Sequence, residues 1–302
     1  MSLTFTPATK EGLKARLALN GPAGSGKTWT ALTVATEWAR REGGAIAVID
    51  TERRSASEYA DEFTFETLQL TSFHPLTLVD ALAAAAERDF ATVIVDSLSH
   101  FWEGTDGMLQ VVDKITKQQG RSDKFGSGWK EAKPMELRML DALLAYPGHL
   151  IVCMRTKSDY VIEENSRGKQ QPKKVGTKPI QRDGIEYEFQ VVGDMTHDNE
   201  LIVTKTRVAP LAGAVVPKPG AEFAESILDW LGKPAPTASD IRARALSDDA
   251  TAAELRVLWE EAQRRQLLGA AVRMGNATLT LEELLRQRGQ ALIDAAKAAA
   301  DA

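Results

Sequence analysis

Gly21-Pro22-Ala23-Gly24-Ser25-Gly26-Lys27-Thr28 decides how the rest of the chain is read, because it meets G-x-x-x-x-G-K-[ST] at every fixed position. It follows the apolar run Ala15-Arg16-Leu17-Ala18-Leu19 and opens a helical pattern over residues 27–41 that stops at Gly43-Gly44. Strand, glycine-rich turn and helix in that order make a phosphate-binding loop. The glycines let backbone N–H groups turn inward around a phosphate, and the helix aims its positive end at the same point. Lys27 is placed to reach the β and γ oxygens of a nucleotide, and the Thr28 hydroxyl to bind Mg²⁺.

Other apolar runs of strand length lie at residues 45–49, 92–95 and 149–154, separated by helical patterns that include residues 76–88. This alternation predicts an α/β fold with a mainly parallel sheet and helical crossovers. Two later runs, Glu188-Phe189-Gln190-Val191-Val192 and Leu201-Ile202-Val203-Thr204, flank the turn-like Thr196-His197-Asp198-Asn199 and read as an antiparallel extension. An amphipathic helix over residues 221–231 ends at Gly232, and Pro234-Ala235-Pro236 marks a boundary. The expected division is a core at residues 1–234 and a small all-helical unit at residues 235–302, with helices at 239–246, 251–265 and 281–299.

A chain of 302 residues, 43% hydrophobic, can bury one sizeable core and still have residues left for a second unit. Its net charge of −5 excludes coating nucleic acid through global charge, so any such contact must be local. The single cysteine, Cys153, lies in Leu150-Ile151-Val152-Cys153-Met154 and reads as a small core residue; no disulfide within the chain is possible. The start lacks the apolar core of a signal peptide and no segment approaches a membrane span, which predicts a cytoplasmic protein without membrane contact. The four histidines show no metal-ligand spacing, although His100 falls close enough to Asp96 in sequence to approach a bound nucleotide.

Val93-Ile94-Val95-Asp96-Ser97 is an apolar strand ending in a carboxylate, the form expected of the residue that holds the Mg²⁺ shell opposite Thr28. Ile49-Asp50-Thr51-Glu52 closes another strand at the same sheet end, since parallel strands finish together. Glu52 is thereby a candidate to orient or deprotonate an attacking water, while Asp50 reads equally as a cap for the next segment. Residues 157–182 carry seven basic against three acidic side chains. Arg167, Lys169, Lys173, Lys174 and Lys178, with Gly168 and Gly176, suit a mobile loop that holds a phosphate backbone. Residues 104–134, with Phe125 and Trp129, read either as a second such loop or as a lid anchored on the core.

Taken together, residues 21–28, Ile49-Asp50-Thr51-Glu52, Asp96-Ser97-Leu98-Ser99-His100, Met154-Arg155-Thr156-Lys157, residues 181–189 and Lys205-Thr206-Arg207-Val208-Ala209-Pro210 resemble the core of RecA-like P-loop NTPases. The likeness spans roughly residues 5–232 and is nearest to phage-encoded RecA-like ATPases of the single-strand annealing and recombination group. It implies ATP and Mg²⁺ as ligands and single-stranded DNA as partner. It further implies a homo-oligomer, ring or filament, in which Lys205 and Arg207 reach a neighbour's γ-phosphate; a host's cytoplasm would be the compartment of a phage protein. A single-strand-binding or replication protein is a further implied partner. A ring motor or helicase loader, and a nucleotide-dependent scaffold, are the competing functions. Phe5-Thr6-Pro7-Ala8 resembles the oligomerisation motif of some recombinases and equally a plain packing strand.

Overall fold

The computed structural model describes residue 5 and residues 8–118, 127–164, 170–232, 236–274 and 277–300. Its compact units are Met1–Lys233 and Pro234–Ala302. In chain order the first unit runs β1 (Arg16–Gly21), α1 (Lys27–Glu42), β2 (Ile46–Asp50), β3 (Glu66–Gln69), α2 (Pro75–Glu87) and β4 (Thr92–Asp96). Next come α3 (His100–Glu103), α4 (Met108–Gln118), α5 (Ser127–Ala145), β5 (His149–Glu164) and β6 (Gln170–Pro179). It closes with β7 (Val191–Met195), β8 (Glu200–Thr206), β9 (Val215–Pro217) and α6 (Ala221–Trp230).

The sheet order is β3-β2-β4-β5-β1-β7-β8-β9, with β6 paired to the outer half of β5. The strands from β3 to β7 are parallel, so β7 continues the parallel sheet beside β1 and only β8 and β9 are antiparallel, a correction to the extension expected after residue 188. The central strands β1, β2 and β4 are buried throughout, which is why they appear as mostly apolar runs. The edge strand β3, Glu-Thr-Leu-Gln, is exposed along its length and offers no such run.

Each face of the sheet carries its own core. Leu17, Leu19, Val48 and Ile94 pack with Leu32, Ala35 and Trp38 of α1 and Phe223, Ile227 and Leu228 of α6. Ala18, Ile49, Val93 and Val95 face Leu78 and Leu82 of α2 and Met139 and Leu143 of α5. These alternating positions give the strands their two-residue period. Cys153 is buried within β5, and burial pushes its thiol well above the usual range. Arg16 is a buried cation in β1 whose guanidinium donates to Gly148 O at 2.8 Å, Leu144 O at 3.0 Å and the Tyr146 carbonyl, capping the end of α5. Desolvation lowers its pKa to about 10.

The described residues of 104–134 are chiefly helical: Trp129 packs on Trp102 at 5.7 Å in a cluster with Met108, Val111 and Val112, while Phe125 lies outside the described residues. The basic segment is also more regular than a loop. Beyond Arg155, β5 pairs with β6 from Thr156↔Pro179 to Glu164↔Gln170, an antiparallel ribbon with one irregularity at Asp159/Tyr160. Val161 and Ile162 favour that form.

The second unit contains α7 (Ala238–Ala245), α8 (Ala252–Arg264), β10 (Ala271–Met274), β11 (Ala277–Thr280) and α9 (Leu281–Ala300). Ile241, Leu255, Leu281, Leu284 and Leu285 form its core. Thr237 and Thr251 cap α7 and α8 through capping boxes with Asp240 and Glu254. The antiparallel pair β10–β11 corrects the expectation of helices alone. Gly275-Asn276 between two short Val- and Thr-containing runs is the hairpin signal that the helical periodicity around it obscures. Among the described residues no helix is long and apolar enough to cross a membrane.

Candidate active site

The phosphate loop leaves the C-terminal end of β1 and turns directly into α1. Gly21 is required by packing: a Cβ there would stand 2.6 Å from Ser25 Oγ and 2.9 Å from the Met195 carbonyl oxygen. Gly26 is required twice, by its left-handed φ of 82° and because a Cβ would come within 2.5 Å of Asn199 Oδ1. Lys27 folds back over the loop and its Nζ donates to Gly21 O at 2.9 Å and Pro22 O at 2.7 Å. Those carbonyls hold the ammonium against the start of the loop.

Asp96 ends β4, and the strand order places β5 between it and β1. The gap is spanned from the α1 side: Thr28 Oγ1 donates to Asp96 Oδ2 at 2.5 Å. Burial pushes the Asp96 carboxyl up to about 6, with the charges of Glu52 and Asp50 adding to the rise and the Thr28 bond and Lys27 opposing it. One hydroxyl and one buried carboxylate in contact, beside a phosphate loop, are a hard-oxygen donor pair of the kind Mg²⁺ takes together with substrate phosphates and waters. The residues present therefore fit that ion. Among the described residues no group of three His, Cys, Asp or Glu side chains could hold a metal by itself. Asp50 is committed elsewhere: it accepts from Glu52 N at 2.6 Å and Gln69 Nε2 at 3.0 Å, and so caps the turn after β2.

Glu52 stands beyond β2 and is held by Arg155, which donates from Nε to Oε1 at 2.8 Å and from a terminal nitrogen to Oε2. Burial raises the Glu52 pKa, but the bonds and charge of Arg155, helped by His100, outweigh it, and the net shift is downward. Arg155 sits where β5 leaves the sheet for the ribbon. It is level with Gly21 of β1, and its backbone N–H donates to Ser99 Oγ at 2.9 Å. Thr51 organises the same end, since its Oγ1 accepts from Ser97 N at 2.7 Å and lies 2.7 Å from His100 Nδ1. His100 stacks on Phe73 at 5.0 Å, and desolvation lowers its pKa. Arg53 and Arg54 follow Glu52 with left-handed φ values of 56° and 73°, a costly backbone for side chains with a Cβ.

The structure thus brings together the phosphate loop, Thr28, Asp96 and Glu52. It does not bring Lys205 and Arg207 to that group. Lys205 Nζ donates to Tyr187 O at 3.3 Å and to the Phe189 carbonyl, and Arg207 lies past the end of β8 at the opposite end of the sheet. β8 ends at Thr206, one residue before Arg207, and the register shift in its pairing with β7 falls at Thr204, ahead of both cations. Of the basic ribbon residues, Lys178 is exposed near its root, Arg167 and Lys169 lie outside the described residues, and for Lys173 and Lys174 only the backbone in β6 is described.

Residues 13–214 match the family model AAA_24, described as an AAA domain. The chain belongs to that family. No curated protein sequence matches it. Among solved structures, a KaiC-like protein from the hyperthermophilic archaeon Pyrococcus horikoshii OT3 is similar, with 14% identity, 67% of this chain and 88% of that chain covered, and a TM-score of 0.35. The match to the AAA domain ends just past Arg207 and takes in the phosphate loop, Asp96 and Glu52.

Arg155 is the site residue that pattern reading left without a role. Its partner Glu52 is more than a hundred positions away, and only the insertion of β5 beside β4 brings them together. The signal available in sequence was an arginine directly after the buried run Leu150-Ile151-Val152-Cys153-Met154, at the sheet end shared by Asp50 and Asp96.

Proposed function

We propose that this AAA-domain protein binds ATP with Mg²⁺ and hydrolyses it at an interface between copies, and that single-stranded DNA held by the β5–β6 ribbon controls the reaction. The observation that carries the nucleotide part is the contact of Thr28 with Asp96 beside the loop, with Glu52 at the same sheet end. Lys27 moves its ammonium from the Gly21 and Pro22 carbonyls to the β and γ oxygens. Thr28 and Asp96 hold Mg²⁺, which when bound neutralises phosphate charge. Glu52, released from Arg155, orients water for in-line attack on the γ-phosphorus and accepts its proton as the bond to the β–γ bridging oxygen breaks. Lys205 and Arg207 of a second copy stabilise the charge that develops there.

The DNA part rests on the charge of the ribbon, seven basic against three acidic residues over 157–182, in a chain whose net charge is −5. An annealing or mediator role in recombination follows from that reading. The decisive measurement is steady-state ATP hydrolysis with and without single-stranded DNA. Stimulation by single-stranded DNA is expected; hydrolysis indifferent to DNA removes the DNA role, and no hydrolysis under either condition removes the catalytic one.

A further inference from the structure

We infer that the cavity opening beside Gly26 is a nucleobase site in which Trp29 supplies the stacking surface, so that it selects purines over pyrimidines by contact area. The inference rests on the nucleotide reading above. The cavity holds about 360 Å³, within the range of small-ligand sites, about 300–1,000 Å³. One wall is a single stripe of α1, residues 26, 29, 30 and 33, at the i, i+3, i+4, i+7 spacing of one helix face. That stripe begins in the phosphate loop and runs away from it for roughly 10 Å. A nucleoside attached to phosphates at the loop must extend along one side or another of this helix, and here a cavity is waiting.

The opposite wall is Lys218, Pro219 and Gly220, tied to the β7–β8 turn by Lys218 N donating to Asn199 O at 2.9 Å. Asn199 adopts φ 60° and packs its amide against Gly26, which puts it at the phosphate end of the cavity. Its side chain makes no hydrogen bond with the described residues, so an amide donor and acceptor remain for the sugar or the first phosphate. Trp29 is placed farther along the stripe. Edge-to-face contacts with Tyr59 at 5.5 Å and Phe63 at 5.0 Å hold the indole, yet 45% of the residue stays exposed. An indole that follows directly on Lys27-Thr28, fixed by two aromatic neighbours and open to a cavity, is a platform for a flat ring. The polar groups available beyond it are the Thr33 hydroxyl, which already donates to Trp29 O at 2.9 Å, and the exposed Lys218 amine. Stacking therefore outweighs edge recognition.

The test compares dissociation constants of ATP, CTP and inorganic tripolyphosphate, each with Mg²⁺, by calorimetry on the full chain. ATP is expected to bind at least tenfold tighter than tripolyphosphate, with CTP between them. Base–aromatic stacking contributes about 1–3 kcal/mol, so Trp29→Ala should weaken ATP by roughly 5- to 150-fold and leave tripolyphosphate unchanged. A second variant avoids the aromatic cluster. A Cβ on Gly220 meets only Lys218 O, at 3.8 Å, so there is room for Gly220→Leu to fill the cavity from the other wall. It should also weaken ATP and spare tripolyphosphate. Equal binding of ATP and tripolyphosphate, or an unchanged ATP affinity in both variants, overturns the base site and leaves the phosphate loop standing. Failure of wild-type protein to bind either ligand overturns the nucleotide reading, and the base site with it.

Discussion

The two ends of the parallel sheet divide the proposed chemistry between them. At the end where β1, β2 and β4 finish, Thr28 touches Asp96 at 2.5 Å and Arg155 holds Glu52 at 2.8 Å, all beside the phosphate loop. At the other end, Arg207 N donates to Gln190 O and Gln190 N to Arg16 O, which puts Arg207 level with the first residue of β1. The length of β1, roughly 17 Å, separates that level from Gly21. Burial and the adjacent Arg207 charge also lower the Lys205 ammonium below the ordinary lysine range. One copy therefore gathers the groups that bind phosphate and position water, and keeps its two candidate finger cations where its own nucleotide cannot use them. If the cations act on a phosphate, that phosphate belongs to another copy.

The largest effects should come from breaking the first end. Lys27→Ala is expected to abolish nucleotide-dependent activity, because it removes the ammonium that the carbonyls of Gly21 and Pro22 hold at the loop. Glu52→Gln should keep ATP binding and lose most turnover, since it removes the proton acceptor and leaves the phosphate ligands intact. Single-turnover hydrolysis alongside equilibrium binding separates the two, and normal turnover by Glu52→Gln would move the role to another carboxylate. The opposite end is tested by complementation. Arg207→Ala should lose about 10³–10⁵ in rate if it is a trans-acting finger. Mixing it with Lys27→Ala should restore activity through hybrid interfaces that pair an intact loop with an intact Arg207. Mixed oligomers that form and stay inactive would sink the trans assignment.

How much of this was legible before any coordinates follows from how local each feature is. The phosphate loop is a contiguous motif with fixed positions, and β2 and β4, which lead to Glu52 and Asp96, are short runs buried on both faces and mostly apolar, so pattern reading finds all three. The edge strand β3 was missed because an exposed strand has no apolar signature. The β10–β11 hairpin was missed because two four-residue strands beside long helices barely register against the helical period. Arg155 was legible as a phrase and not as a role, since the pair it makes with Glu52 depends on strand order, which no local window contains.

A smaller effect is expected from the ribbon. Neutralising Lys169, Lys173 and Lys174 together should weaken single-stranded DNA binding at every sequence and leave ATP binding alone. Each phosphate contact on a single strand contributes about 0.7 to the log–log salt slope, so losing three should change it by roughly 2. Binding that matches the parent at all salt concentrations would reduce the ribbon to a solvated hairpin.

The smallest effect, and the one that most sharpens the contrast between the sheet ends, concerns Arg155. As it stands, Arg155 occupies both oxygens of the Glu52 carboxylate and holds its pKa below the ordinary range, which makes Glu52 a weakened base whose oxygens are already engaged. Arg155→Gln removes the charge and part of the clamp. DNA-independent hydrolysis should then rise a few-fold, and the acid limb of its pH profile should move upward as the Glu52 carboxyl, still buried but without the bonds and charge of Arg155, titrates at higher pH. The direction is informative whichever way it falls. A rise means that Arg155 restrains Glu52 in the resting protein, and that whatever displaces β5 at the ribbon root can release it. A fall in rate with no movement of the pH profile would mean instead that Arg155 acts on the nucleotide, adding a cation to the loop end and removing part of the need for a second copy.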